Sequence, residues 1–438
     1  MGPNNDNEEL LQSWKEISSY LNCDRRTCLR WEKQHGLPIH RISDSPKSPV
    51  YAYKHEIDAW LKQGVTRGSR NENQKKKKFN KFLYLFPMLG VVVIVWIGIH
   101  IFSAKSDPAD FSIQNSELVI LDDAGKELWH FDTGIENLVA EEAYREHFQY
   151  RKVNNGEVNL PHLIIGDLDG NDMNEVLFST QTQTEYGEGI LYCFDHKGEK
   201  LWEFAAGREM KYGFDMISSD FRIRGFEICD LDDDGKSEII VLAKHKPLFP
   251  CQLAILDNNG TRIGEYWNSG YLIDMAVLDL GNDGKKEIIL SGCNNEYGNA
   301  CLVVFEYDNI RGGSPQKNNS YICKNLEKGS QKYYVLFPRT EIDRLQSPVE
   351  AIYQINVLKN HRLQLRTRHS QILYELNYYL EVENVHLSHG FEQSYKIALK
   401  NGDVSSRIIK DDYEKELAKK LLYYDGKEWS PRPVATEY

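Results

Sequence analysis

The chain has 438 residues, with 53 Lys+Arg against 65 Asp+Glu for a formal net charge of −12; 27% of residues are charged, 41% hydrophobic and 11% aromatic. That length exceeds one ordinary core, and that composition excludes a mainly disordered, collagenous or polytopic membrane chain. The charge is unevenly spread: residues 1–81 carry 16 Lys+Arg and 10 Asp+Glu, net +6, which leaves net −18 for the remainder. A basic head on an acidic body predicts two parts with different partners.

In the head, Ser13-Trp14-Lys15-Glu16 reads as a capping box, with Ser13 accepting from the first turn and Glu16 reaching back to it. Trp14, Ile17 and Leu21 then recur on one helical face. After a break at Asn22-Cys23, Asp24 is an N-cap for a second helix from Arg25 to about Gln34, which Gly36 ends. Two helices joined by a tight turn describe a helix-turn-helix. Residues 38–42 and 50–53 read as two strands of a small wing around a turn-rich loop, and residues 54–62 as a short helix burying Ile57, Trp60 and Leu61. The stretch SWKEISSYLNCDRRTCLRWEKQHGLPIHRI…YAYKHEIDAWL resembles the winged helix-turn-helix of the MerR and excisionase type over about 50 residues. The resemblance implies that residues 1–66 bind DNA. It places Arg25, Arg26, Thr27 and Arg30 at recognition-helix positions and gives Arg41 and Lys47 to the wing; Lys33 adds a positive side chain on the same helix. Asn22 stands where the turn often has Gly, and Asn tolerates the left-handed conformation. Cys23, Cys28, His35 and His40 look like a zinc set, but only six residues separate Cys28 from His35, against about twelve in the finger pattern.

A basic linker follows at 67–81, containing Lys75, Lys76, Lys77, Lys78 and Lys81. Residues 82–102, FLYLFPMLGVVVIVWIGIHIF, contain no acid, Lys or Arg. As a helix at about 1.5 Å per residue they would reach roughly 30 Å, the thickness of a bilayer's hydrocarbon core. The Lys excess before the run puts the N-terminus in the cytoplasm and residues 103–438 outside it.

Three segments of the body repeat: LIIGDLDGNDMNEVLFST from Leu163, FEICDLDDDGKSEIIVLAK from Phe226 and MAVLDLGNDGKKEIILSG from Met275. Each reads as strand, acidic loop, strand, and each is followed by a predicted hairpin: GILYCFDHKGEKLWEFAAG, CQLAILDNNGTRIGEYWNSG and CLVVFEYDNIRGGS. Four strands recurring at about 45 residues match a propeller blade. A further hairpin, ELVILDDAGKELWHFDTG from Glu117, has no acidic loop before it; completion of its blade from the C-terminal end would close a ring. Residues 317–438 read as divergent blades from strand-like alternation in YYVLF, EAIYQINVL, QILYELNYYLEVENV and YKIALKNGD, with a possible helix in DDYEKELAKKLL. Cys293 and Cys301 bracket a turn, either as a cross-hairpin disulfide or as free buried thiols.

The acidic loops present Asp167, Asp169, Asn171 and Glu175; Asp230, Asp232, Asp234 and Glu238; and Asp279, Asp283 and Glu287, with Gly281 at the third position of the last loop. Three or four oxygen ligands within nine residues suit a hard cation. The loops resemble the FG-GAP or VCBS-type calcium loops of integrin-like propellers, which implies structural Ca2+. Asp172 replaces the usual Gly of the first loop, and the third lacks a carboxylate at position 3; both departures weaken their sites.

The expected fold is therefore multidomain: a small α+β winged helix-turn-helix, one transmembrane helix and a large all-β propeller-like domain. No Ser/His/Asp order, paired-carboxylate site or phosphate-binding Gly loop emerges, so no enzyme is expected. The expected function is a membrane-anchored one-component transcription regulator, single-pass in the cell membrane. Its partners are double-stranded DNA, an extracytoplasmic ligand or protein, and, from operator symmetry, a second copy in a homodimer. The alternative is a surface adhesion or scaffolding propeller whose cytoplasmic head binds protein.

Overall fold

A computed structural model of the chain describes residues 10–41, 49–66, 106–136, 138–154, 157–182, 189–246, 249–359, 362–433 and 435. The chain divides into two compact units, Met1–Ile99 and His100–Tyr438. The predicted span at 82–102 and the Lys run before it lie outside the described residues; among those described, no helix is long and apolar enough to cross a membrane.

The first unit is built on helices α1 (Trp14–Leu21), α2 (Arg25–His35) and α3 (Lys54–Thr66). Ser13 Oγ accepts from Glu16 N at 3.3 Å, but the Glu16 carboxylate accepts from Gln12 N at 2.8 Å, one residue earlier than a standard capping box. Asn22 closes α1 at φ 49°, Asp24 caps α2 through Thr27 N at 2.7 Å, and Gly36 ends α2 at φ 66°. Strand β1 (Leu10–Leu11), which the sequence did not suggest, pairs with β3 (Val50–Tyr53), and β3 pairs with β2 (His40–Arg41). Leu11, Ile17, Cys28, Leu37, Val50, Ala52 and Ile57 form the core. Trp60 donates from its indole to His35 O at 2.8 Å, pinning α3 to the end of α2.

The second unit is a propeller-like series of antiparallel sheets. A three-stranded sheet (Asp110–Gln114, Glu117–Leu121, Glu127–Asp132) is followed by a four-stranded meander from Leu163 to Ala205 and another from Phe221 to Asn268. A six-stranded sheet begins at Leu272, and a last four-stranded meander runs from Ile352 to Leu387. Consecutive four-stranded meanders are the blade architecture of propellers. Apolar clusters join each sheet to the next: Phe111 and Ile120 with Val176 and Phe178, Leu191 with Ile239 and Val241, Leu253 with Ile288 and Val303, Val304 with Leu365 and Tyr374.

The hairpin turns supply a second, directional link. Asp122, Asp195 and Asp257 each accept from the backbone N–H groups two and four residues on, at 2.8–3.0 Å, and Gly125, Gly198 and Gly260 follow at φ 75–86°. Trp129, seven residues after Asp122, donates from its indole to His196 O at 3.2 Å in the turn of the next sheet. Trp202, seven after Asp195, donates likewise to Asn258 O at 3.1 Å. The rings cover the turn glycines so closely that a Cβ at Gly198 would lie 2.7 Å from Trp129, and one at Gly260 would lie 2.5 Å from Trp202. After Asp257 the seventh residue is Gly264, and Ile310 packs there instead.

That replacement accompanies several corrections. CLVVFEYDNIRGGS is not a hairpin: after strand Asn299–Glu306 the chain leaves the sheet until Tyr333–Leu336, which pairs back with residues 301–304. The excursion runs along the outer strand of the preceding sheet, where Glu265 N and Trp267 N donate to Ile310 O and Gly312 O at 2.9 Å. It thereby covers an edge that would otherwise present unpaired backbone groups. Strand Leu422–Tyr424 joins Tyr333–Leu336, so the C-terminal end does not complete the first sheet, whose place beside Glu117–Leu121 is taken by Asp110–Gln114. YKIALKNGD belongs to helix His389–Asn401, which Ser388 and Gly402 cap and whose Phe391, Tyr395 and Ala398 are buried at helical spacing. DDYEKELAKKLL does form a helix, Lys410–Lys419. Cys293 lies opposite Ala300 and Cys301 opposite Gly292, so the two thiols point to opposite faces and all described cysteines are free.

A buried ion pair ties distant parts together. Asp274, fully buried, pairs with Arg151 and accepts from Ile355 N at 2.6 Å on the last meander. Burial raises the Asp274 pKa while Arg151 opposes the shift.

Gly260→Ala should cost more than Gly402→Ala in chemical denaturation of the full-length protein. Both glycines have φ near 80°, so both variants carry the left-handed strain of about 1–2 kcal/mol, but only Gly260 faces an indole. Trp202→Ala should cost up to about 3 kcal/mol. Equal losses for the two glycine variants would remove the Trp202 seat as a stabilising contact.

Candidate functional site

The acidic loops are shaped by their own side chains. In the first, Asp167 accepts from Gly170 N at 2.8 Å, Asn171 N at 3.1 Å and Asp172 N at 2.9 Å. In the second, Asp230 accepts from Asp234 N at 3.1 Å and Gly235 N at 3.0 Å; in the third, Asp279 accepts from Asp283 N at 3.0 Å and Gly284 N at 2.8 Å. Each loop has two left-handed residues: Gly170 and Asp172, Asp233 and Gly235, Asn282 and Gly284. Asp172 at φ 66° carries the strain that glycine avoids in the other two loops.

Asp167, Asp169 and Glu175 bring carboxylate oxygens within 4.8 Å of one another, and so do Asp230, Asp232 and Glu238. Glu175 and Glu238 come from the first residue of the following strand, are buried, and accept from Leu168 N and Leu231 N at 2.9 and 2.8 Å. Burial, then repulsion from Asp169 and Asp167, pushes the Glu175 pKa up to about 7; burial and the neighbouring Asp side chains raise Glu238 likewise. Such crowded oxygens fit a hard divalent cation, which would neutralise the repulsion. Asn171, Asp234 and Asp283 each accept from the backbone N–H two residues on, at 2.7–2.9 Å.

The third loop is different. Glu287 accepts from Leu280 N at 2.9 Å and is also paired with Lys332 at 2.9 Å, which pairs with Glu306 as well. Burial opposes the Lys332 charge, yet its bonds to Glu287 and Glu306 raise its pKa. Asp279, Asp283 and Glu287 do not converge as the other two triads do among the described residues. Lys286 reaches the second loop, contacting Asp230 O and pairing with Asp233 at 2.9 Å. Nothing in the repeat pattern announces Lys332, which lies at the end of the excursion rather than in the loop.

On the first unit, Arg25, Arg26, Arg30 and Lys33 are exposed on α2, while Cys28 on the same helix is buried. Thr27 is held by the cap: its Oγ1 donates to Asp24 at 3.0 Å. The Arg41 guanidinium forms a two-pronged pair with Glu32 of α2, which raises its pKa. Its place is to brace the β2–β3 ribbon against α2. Lys47 lies outside the described residues. Cys23 and Cys28 approach to 3.4 Å between sulfurs, and His40 meets Glu56 at 2.6 Å.

Neither a family model nor a curated protein matches the sequence. Among solved structures, the second unit's architecture is similar to the Dos1 propeller, with TM-score 0.34 and 10% identity, covering 63% of this chain and 57% of that one. It is also similar to the rhamnogalacturonan lyase YesW (TM-score 0.29, 12% identity, 52% of this chain and 43% of that one). BamB from Moraxella catarrhalis gives TM-score 0.23 and 10% identity, covering 63% of this chain and 69% of that one. The chain spans less than two thirds of the first two structures. At such scores the likenesses add nothing to what the strand order itself shows.

In cation-free buffer, stability should fall as pH rises from about 4.5 to 7. The folded protein holds the Glu175 proton more tightly than the unfolded chain, whose carboxyl titrates near 4.5, so ionisation across that window disfavours the fold. Glu175→Gln should flatten part of this decline. Added calcium should raise the melting temperature near neutral pH; a single site at a hundredfold excess over its Kd supplies about 2.7 kcal/mol. Asp169→Asn with Asp232→Asn, which keep the acceptor oxygens and remove the charge, should shrink the gain. No shift in the wild type would remove the metal reading.

Proposed function

We propose that the chain is a membrane-anchored one-component transcription regulator. Residues 1–66 act as a MerR and excisionase-type winged helix-turn-helix on double-stranded DNA, residues 82–102 cross the membrane once, and residues 103–438 sense a ligand or partner outside the cytoplasm. The observation that supports the DNA half is α2: Arg25, Arg26, Arg30 and Lys33 stand exposed on a helix anchored by its cap and by Cys28. Such cations replace counterions on phosphate and read base edges in the major groove. In this reading Arg41 positions the wing through Glu32, and Lys47 contacts the backbone. Calcium in the first two acidic loops is structural, no catalytic role is assigned, and the regulator acts on symmetric operators as a homodimer.

Genome-wide mapping of DNA bound by the full-length protein, followed by salt titration on a recovered site, tests this. Affinity should fall steeply with salt, and Arg25→Ala with Arg26→Ala should weaken binding and lower the slope by about 2, one unit for each cation removed from a phosphate. Binding that is absent, or indifferent to salt and to these substitutions, would overturn the reading in favour of a protein-binding head. A reporter active only outside the cytoplasm, fused at the C-terminus, should be active; a silent one would invert the topology.

A further inference from the structure

The chain beyond residue 81 carries net −18, yet one cleft in it is basic. Helix His389–Asn401 and the connection that leads from it to helix Lys410–Lys419 border a cavity of about 660 Å3. Glu392, Tyr395, Lys396, Leu399 and Lys400 line it at steps of three and four residues, so one face of the first helix is turned to it. Arg407 and Ile408 line it from the connection, and Lys410 opens the next helix. The frame is tied along its length. Asp403 N donates to Ala398 O at 2.9 Å, the Tyr395 hydroxyl donates to Ser406 O at 3.2 Å, and Lys410 pairs with Glu392 at 2.9 Å. A cleft held in this way is preorganised, which lowers the ordering cost of binding.

Its charges do not balance. Glu392, the one anionic side chain of the lining, is committed to Lys410; that bond, with a weaker pull from Lys396, holds its pKa below the ordinary carboxylate value. Lys396, Lys400 and Arg407 are exposed and form no ion pair among the described residues. Lys400 also meets the negative end of the helix dipole, but Lys396 lies a turn earlier and Arg407 lies outside the helix. An anion in the cleft would offset the mutual repulsion of these cations. The rest of the lining is apolar. Leu399 and Ile408 are half-buried, each packed on the core with part of its surface left open, and buried Leu387 and Tyr395 complete it.

We infer that this cleft binds a single-chain aliphatic carboxylate, with its head among Lys396, Lys400 and Arg407 and its chain against Leu399 and Ile408. The volume is that of a small-molecule pocket, about 300–1,000 Å3. The lining chemistry narrows the class. No lining side chain is a neutral amide, and the one hydroxyl, on Tyr395, already donates to Ser406 O. Sugars and nucleobases, which need such donors and acceptors, find no side-chain partner for them here. A bare inorganic anion would leave the apolar surface in water, and an uncharged chain would leave the three cations unanswered. A carboxylate with an apolar body uses both, and its two oxygens match the fork of a guanidinium. The inference deepens the sensing half of the proposed function by giving it a ligand class, and rests on that reading only for the ligand's role as a stimulus.

The test is photolabelling of the full-length protein, held in discs of zwitterionic phospholipid, with a diazirine-bearing decanoate, followed by mass-spectrometric mapping of the labelled peptides. Label should fall on peptides within 387–410. At matched free concentration, decanoate should displace it about fourfold more strongly than nonanoate, and nonanoate than octanoate, the worth of one buried methylene at each step. Decanol, which has the chain without the charge, and citrate, which has charge without the chain, should each displace far less. Lys396→Gln with Arg407→Gln should cut labelling about tenfold with the melting temperature unchanged, because both side chains are exposed; Lys400→Gln alone should cut it by less. Absence of label from 387–410 would overturn the inference. So would displacement that is equal across chain lengths, equally strong with decanol or citrate, or indifferent to these substitutions. Loss of label when anionic phospholipid enters the discs at constant free decanoate would overturn it too, in favour of a membrane headgroup. DNA affinity is measured on the same preparation: its absence with labelling intact speaks against the regulator, whereas absence of labelling alone speaks against this site.

Discussion

The second unit depends on one repeated contact, an indole seated on the hairpin turn of the neighbouring sheet. A four-stranded antiparallel sheet buries its faces only against other sheets, and area burial is non-directional. The Trp129 and Trp202 contacts add direction: each indole N–H finds a specific carbonyl, and each ring excludes a Cβ from a specific glycine. The aspartate that starts the turn also sets the register, because it accepts from two backbone N–H groups and leaves the third turn residue in the left-handed region. Where the tryptophan is replaced by Gly264, the pattern breaks, and the chain answers with Ile310 and a long excursion.

The excursion that follows this break covers the edge of strand Arg262–Asn268 and satisfies its backbone, while the Trp267 indole N–H and the Gln331 carboxamide stay buried without protein partners. The acidic loops show the converse economy. Every aspartate that starts a loop is occupied with its own backbone, and the electrostatic tension collects on Glu175 and Glu238, which enter from buried strand positions. In the third loop the corresponding Glu287 is paired with Lys332.

The first unit was legible because its determinants are local. Asp24, Gly36 and Asn22 act within one helical turn of where they sit, and the structure places each in the predicted cap. Its misses are contacts between elements: β1 pairs with a strand about 40 residues away, and Arg41 on β2 pairs with Glu32 on α2. The same division holds in the second unit. YKIALKNGD alternates like a strand, but Ser388, seven residues before that window, starts a helix that Gly402 within it ends, and this helix buries Phe391, Tyr395 and Ala398. The last meander hid its turn because Asn377 and Leu380, at φ 62°, stand where earlier turns have Asp and Gly.

By itself the sequence determined what chain-local physics can encode: the helix caps of the head, the period of the sheets, the curl of the acidic loops and the uneven charge behind the net −12. Only the tertiary structure decided which charges remain available and which polar groups are left unsatisfied. Lys332 pairs with Glu287 of the third acidic loop, Glu32 pairs with Arg41 of the wing, and the excursion buries the Gln331 carboxamide and the Trp267 indole without partners. The reason is physical: a side chain's partners are set by what folding brings within a few ångströms, whether nine residues away, as Glu32 is from Arg41, or 45, as Glu287 is from Lys332.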